Sequence, residues 1–294
     1  LVAGRVPQER GSWRKTMTVR DILLQANTHP EPTPEWSIDR VRELAARLGA
    51  RVSLGVCQVH IPRVSNWLAN KLLNIDGMIA GENKKSAVNA DALMETFKAR
   101  VPADQLGETF VINCPGTVTH WQLAVRARTH DLTVVPVYGH AETISVAEGL
   151  VFESGRPVLL LPEVTVPEFK FDRIAVAWDG SSVAARALSD AMPLLRQASS
   201  VAIVQITGEK DLSKAADPAE AVRNLKLHGI AAEVVAVELE ERDAATTLQA
   251  YCERDGRELL VMGAFGHSRA REFVLGGVTR SVLEAPQLPI FISH

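Results

Sequence analysis

The feature of this sequence that most narrows its fold is an alternation, repeated along the whole chain, of short apolar runs with longer amphipathic stretches. Residues 22–24, 52–59, 109–113, 132–137 and 157–161 are mostly apolar in the first half. Residues 174–177, 201–206, 232–237, 259–262 and 289–292 repeat the pattern in the second. A strand buried on one face shows an alternating pattern, whereas a strand covered on both faces is apolar throughout. Parallel strands need crossover connections, usually helical, and the intervening stretches supply them. Residues 34–48 place Ile38, Val41, Leu44, Ala45 and Leu48 at helical spacing before Gly49, a residue suited to a left-handed helix terminus. Helices are likewise predicted at 87–97, 118–128, 182–195, 219–227, 244–252 and 277–285, while 61–80 has no clear period. The expected fold class is α/β, as two tandem doubly wound parallel-sheet domains.

Local matches support a repeat. Arg20-Asp21-Ile22 is answered by Asp172-Arg173-Ile174, and Tyr138-Gly139-His140 by Phe265-Gly266-His267, each triplet at the same place in its half. An interval of about 150 residues is too long for a solenoid and fits duplication of a domain. We expect domains at 17–163 and 168–294, joined by the Pro- and Glu-containing stretch 162–167. Residues 1–16 lack an apolar signal core and read as a lead-in, with Met17 as the native start.

Composition removes several function classes. The net charge of -3 points to neither nucleic acid nor a membrane surface. The longest apolar runs fall far short of the roughly 20 residues of a membrane span. Cys57, Cys114 and Cys252 are dispersed and odd in number, which suits buried thiols in a cytoplasmic protein better than a disulfide framework or metal site. The histidines show no triad spacing.

One segment carries chemistry. Between Met262 and Thr279 lie Gly263, Gly266, Gly276 and Gly277, after a strand and up to a helix start. Glycines let backbone N–H groups approach an anion, and the helix start adds free N–H groups and the positive dipole end. This is a phosphate cradle that needs no lysine. GxxxxGK[ST] and GxGxxG do not occur. Any one of these glycines could equally be a turn or cap residue; their concentration at one junction favours the cradle.

The spacing G-x2-G-x9-G after a fourth strand resembles the nucleotide loop of universal stress proteins. Ala177-Trp178-Asp179-Gly180-Ser181-Ser182 resembles that family's strand-Asp-Gly-Ser entry into its first helix. The likeness spans 168–294 and extends more weakly to 17–162. It implies an adenine nucleotide, ATP foremost, with Mg as its accompanying ion. Asp179 would face the ribose or a phosphate-bound metal, although it could also serve as a turn residue or helix cap. Gly263, Gly266, Gly276, Gly277 and Val278 would surround the phosphates. The backbone at Gln205 and Ile206 would face the adenine edge. Gly277 stands where the family has Ser or Thr, and Thr279 is the nearest hydroxyl. His267, Arg269, Arg271 and Arg280 add positive charge. At most slow ATP hydrolysis is implied.

The first half departs at the matching places. Asn27 aligns with Asp179, Pro136 with Gly263, and Leu150 falls where a helix start is expected after Gly139 and Gly149. Proline removes an N–H and leucine crowds the phosphate position, so this half reads as a structural partner. Family members pair through their last strands, so 157–161 and 289–292 are expected to form an intrachain pseudo-dimer, with further homodimerisation open. The competing reading is a nucleotide-free regulatory or scaffold protein. An ATP pyrophosphatase-type ligase would need a Ser-Gly-Gly-x-Asp-Ser loop, and 179–182 is not one.

Overall fold

The computed structural model describes residues 18–62, 74–139, 141–163, 168–208, 215–239, 243–264 and 277–294. The lead-in and most of the 162–167 stretch lie outside them. The first half runs β1 (Asp21–Asn27), α1 (Trp36–Leu48), β2 (Arg51–His60), α2 (Ile75–Arg100), β3 (Leu106–Pro115), α3 (His120–Ala127), β4 (Leu132–Val137), α4 (Ala141–Glu153) and β5 (Val158–Pro162). The second runs β6 (Arg173–Ala177), α5 (Ser182–Asp190), α6 (Met192–Leu195), β7 (Ser200–Thr207), α7 (Pro218–Leu227), β8 (Ala232–Glu238), α8 (Ala244–Arg254), β9 (Leu259–Gly263), α9 (Gly277–Glu284) and β10 (Ile290–Ser293).

All these strands lie in one 10-stranded sheet, ordered β3-β2-β1-β4-β5-β10-β9-β6-β7-β8. Every neighbouring pair is parallel except β5 and β10. These two meet antiparallel at the middle, pairing Leu159 with Phe291. The two halves therefore share one strand order, and each reverses direction of winding once, between β1 and β4 and between β6 and β9. Two apolar layers flank the sheet, and each draws residues from both halves. Side-chain links add to the joint: Arg47 of α1 reaches Asp172 at 2.6 Å, and Glu43 accepts from the Phe169 N–H at 2.8 Å.

The halves repeat one polar device as well. Asp131, just before β4, accepts from the N–H groups of Arg20 and Asp21 at 2.8 and 3.1 Å. Glu258, just before β9, accepts from those of Asp172 and Arg173 at 2.6 and 3.1 Å. Each carboxylate fastens the start of the first strand of its half to the fourth. Charge-assisted bonds of this kind contribute about 1.5–3 kcal/mol. Glu258→Ala is expected to lower unfolding stability by about 2 kcal/mol in urea at pH 7; a loss below about 0.5 kcal/mol would show that the clamp is dispensable.

Several elements differ from the sequence expectation. α2 starts at Ile75, well before residue 87, because the polar run from Gly81 to Lys85 is the solvent face of a helix whose inner face carries Ile79, Ser86, Ala90, Leu93 and Phe97. The helix expected over 182–195 is broken after Asp190, where Pro193 has no N–H to give and its ring opposes the preceding turn. β1 extends to Asn27, carrying two buried polar residues of which Gln25 donates to the Asn27 side chain. α4 covers 141–153, where a loop was expected up to a helix start near Leu150, and it bears directly on the candidate site of the first half.

Among the described residues no helix is long and apolar enough to cross a membrane. The three cysteines are free and buried. Burial pushes the Cys252 thiol up to about 12. The mutual hydrogen bond of Cys57 and Cys114 raises the first and lowers the second.

Candidate functional site

In an open α/β sheet, ligands bind beyond the carboxyl ends of the strands where the winding direction reverses. In the second half that point lies between β6 and β9. β6 ends at Ala177, and the chain turns through Trp178, Asp179 and Gly180 into α5. Asp179 accepts from the Ser181 N–H at 3.0 Å, and Ser181 caps α5 by accepting from the Ala184 N–H at 3.2 Å. The Asp-Gly-Ser sequence is thus an Asx turn followed by an N-cap, each a recognised use of those residues. Gly180 has φ +73, and a Cβ there would lie 2.4 Å from the Ala216 nitrogen. No other residue fits that position without strain.

Gly263 is the last residue of β9. A Cβ on it would stand 2.5 Å from the Val183 carbonyl carbon and 2.7 Å from the Ala184 nitrogen. The glycine lets the strand end abut the first turn of α5, so the two edges of the crevice are drawn together by backbone packing. Gln205 and Ile206 lie near the end of β7, half-buried and paired with Ala236 and Val237 of β8. Gly277, Val278 and Thr279 form the first turn of α9, with Val278 half-buried and Thr279 buried. Half-buried Ala177, Ile206, Val237 and Val278 all pack against the same apolar layer. They give this end of the sheet an apolar wall beside the free N–H groups expected of a helix start.

Gly266, Gly276, His267, Arg269 and Arg271 lie outside the described residues. Arg280 is exposed and bonded to Glu284 one turn along α9 at 2.7 Å. That ion pair is the ordinary surface use of an arginine. The described residues contain no group of three or more His, Cys, Asp or Glu arranged for a metal.

The first half is built differently at the same register. Ile22 pairs with Leu132 as Ile174 pairs with Leu259, which makes Asn27 the counterpart of Asp179 and Pro136 that of Gly263. Asn27 is buried, and its N–H donates to the Thr33 hydroxyl at 2.7 Å. Thr33 in turn is hydrogen-bonded to the Tyr138 hydroxyl at 2.9 Å, across the β1–β4 reversal. From α2, Ser86 bonds the Thr28 hydroxyl at 2.7 Å and Asn89 the Thr28 carbonyl at 2.9 Å. At this end of β1 the chain's own polar groups therefore bond one another.

The expectation of a loop from Gly139 to a helix start near Leu150 is incorrect. Residues 141–153 are α4, and Leu150 is fully buried near its end. A Cβ on Gly149 would lie 2.2 Å from the His120 ring, so this glycine serves the contact between α3 and α4. The spacing of the buried Val146, Ala147, Leu150 and Val151 is helical. Thr33, Ser86 and Tyr138 had no signal in the sequence, since only the fold brings them together.

Residues 170–294 match the model of the Universal stress protein family. Among solved structures, a universal stress protein from Archaeoglobus fulgidus DSM 4304 superposes with TM-score 0.64 at 19% identity, covering 92% of this chain and 97% of that one. A protein of unknown function from Pseudomonas aeruginosa PAO1 superposes with TM-score 0.53 at 14% identity, covering 94% of this chain and 92% of that one. At these identities the likeness is one of fold, and it extends over both halves. No curated protein matches the chain. The family likeness thus rests on residues 170–294, whose sequence matches that family's model.

Proposed function

We propose that the second half binds an adenine nucleotide, ATP foremost, at the β6–β9 reversal, and that the first half is its structural partner. The observation that carries this reading is that the β6 exit and the β9 end lie side by side at the winding reversal, where Gly263 abuts the first turn of α5. The N–H groups of Gly277 and Val278, with the helix dipole, suit a phosphate chain. The half-buried Ile206 and neighbouring backbone at the end of β7 suit a flat base. Asp179 would hold the ribose or an accompanying Mg ion, whose charge would offset that of the phosphates. Slow hydrolysis is the most that this donor set supports, because the described residues offer no positioned general base. A role in stress response and a cytoplasmic setting belong to the same proposal.

A second reading has its own observation. Asp179 is accounted for by its Asx turn and Gly263 by its packing on α5. Both therefore suit a nucleotide-free scaffold. Asp179→Asn separates the two readings, because an amide oxygen still accepts from the Ser181 N–H but carries no charge. Titration calorimetry with ATP and Mg is expected to show at least tenfold weaker binding, at unchanged thermal stability, for the loss of one charged contact of about 1.5–3 kcal/mol. Equal affinity would reduce Asp179 to a turn residue. Failure of the wild-type protein, freed of co-purified ligand, to bind at millimolar nucleotide would leave the scaffold reading.

A further inference from the structure

Beyond the sheet's carboxyl edge, the outer face of the second half carries a groove of about 1080 Å³ between the α5–α6 pair and α7. Its floor is apolar and nearly closed to solvent: Trp178, Leu188 and Met192 are 7%, 6% and 8% exposed. The Trp178 ring is fixed, its Nε1 donating to the Ala216 carbonyl at 2.8 Å. The rim is charged and one-sided. Arg196, Arg223 and Lys226 line it against a single carboxylate, Glu220, which is already paired with Arg223. Leu227 stands on the same rim at 76% exposure, the most open of the large apolar side chains described.

We propose that this groove docks an amphipathic helical segment of an acidic partner protein, its apolar stripe on Trp178, Leu188 and Met192 and its carboxylates on Arg196 and Lys226. An apolar trough between helices is the usual seat for a helix with apolar residues at positions i, i+3 or i+4 and i+7. The positive rim selects an acidic one, because complementary charge steers encounter and rejects like-charged competitors. The fixed Trp178 ring lowers the ordering cost of binding. The inference is independent of nucleotide binding.

Panning a random 16-residue peptide library on the full chain tests it. Enriched peptides are expected to be net negative with a helical apolar stripe. A synthetic enriched peptide is expected to bind at least tenfold more weakly to the Arg196→Glu/Lys226→Glu variant, and to lose affinity as salt is raised. Leu227→Asp, at an exposed position where the fold is insensitive, is expected to weaken it as well. Enrichment of neutral or basic peptides, equal binding to the charge-reversed variant, or no enrichment would overturn the proposal. So would a concentration-dependent dimer of the protein alone that Leu227→Asp dissolves, since the occupant would then be a second copy.

Discussion

Replacing Phe291 by alanine is expected to cost about 3–5 kcal/mol, the range for removing a fully buried aromatic ring. Phe291 is 0% exposed, pairs with Leu159 of β5 on one side and Val261 of β9 on the other, and so stands at the joint between the halves. Its apolar layer runs from Ile22 of β1 through Phe171 to Leu225 of α7. The cavity would open where the two halves meet, and neither half could close it alone. Urea unfolding followed by circular dichroism and by tryptophan fluorescence is expected to show the same large loss with both probes. A loss under about 1 kcal/mol would show that β5 and β10 merely touch and that the joint contributes little.

Gly263→Val is the second large effect. The new Cβ would fall 2.5–2.7 Å from backbone atoms of Val183 and Ala184. Those atoms cannot retreat easily, because α5 is capped by Ser181 and its entry runs through Gly180, which itself abuts Ala216. Overpacking of this kind costs about 1–3 kcal/mol and more where backbone must move, so about 3 kcal/mol is expected, together with loss of nucleotide binding. Gly139→Ala makes a useful contrast. Gly139 has φ +78 but open space around its Cβ position, so only backbone strain of about 1 kcal/mol applies. Thermal melts of the two variants side by side decide it: equal losses would mean that the close approach of β9 to α5 is not the constraint.

The fold was legible because its evidence is distributed. Apolar runs such as 132–137 and 259–262 read as strands covered on both faces, and they are β4 and β9, at equivalent places of the two halves in a single sheet. What sequence could not convey was which role a glycine plays. Gly263, read as a phosphate contact, is required by backbone packing on α5, and Gly149, read as a loop register mark, lies within α4 against His120. A missing side chain permits close approach by any neighbour, ligand or protein, and the sequence does not say which. Asp179 is similar, since an Asx turn and a metal contact both use a side-chain oxygen beside a helix entry. Asn27 and Pro136 do stand at the register positions of Asp179 and Gly263, as the alignment of the halves expected. The physical closure of that side, through Thr33, Tyr138, Ser86 and Asn89, needed distances between residues far apart in the chain.

The proposed function is asymmetric, with binding in the second half and support from the first. Counting sites measures it directly. Calorimetric titration of the ligand-free protein with ATP and Mg is expected to give one site per chain, and Gly277→Pro is expected to weaken it at least tenfold. Proline fits the first turn of a helix and removes only the N–H at that position. Two sites per chain, or one site that survives Gly277→Pro with full affinity, would contradict the assignment of binding to the α9 end of the second half.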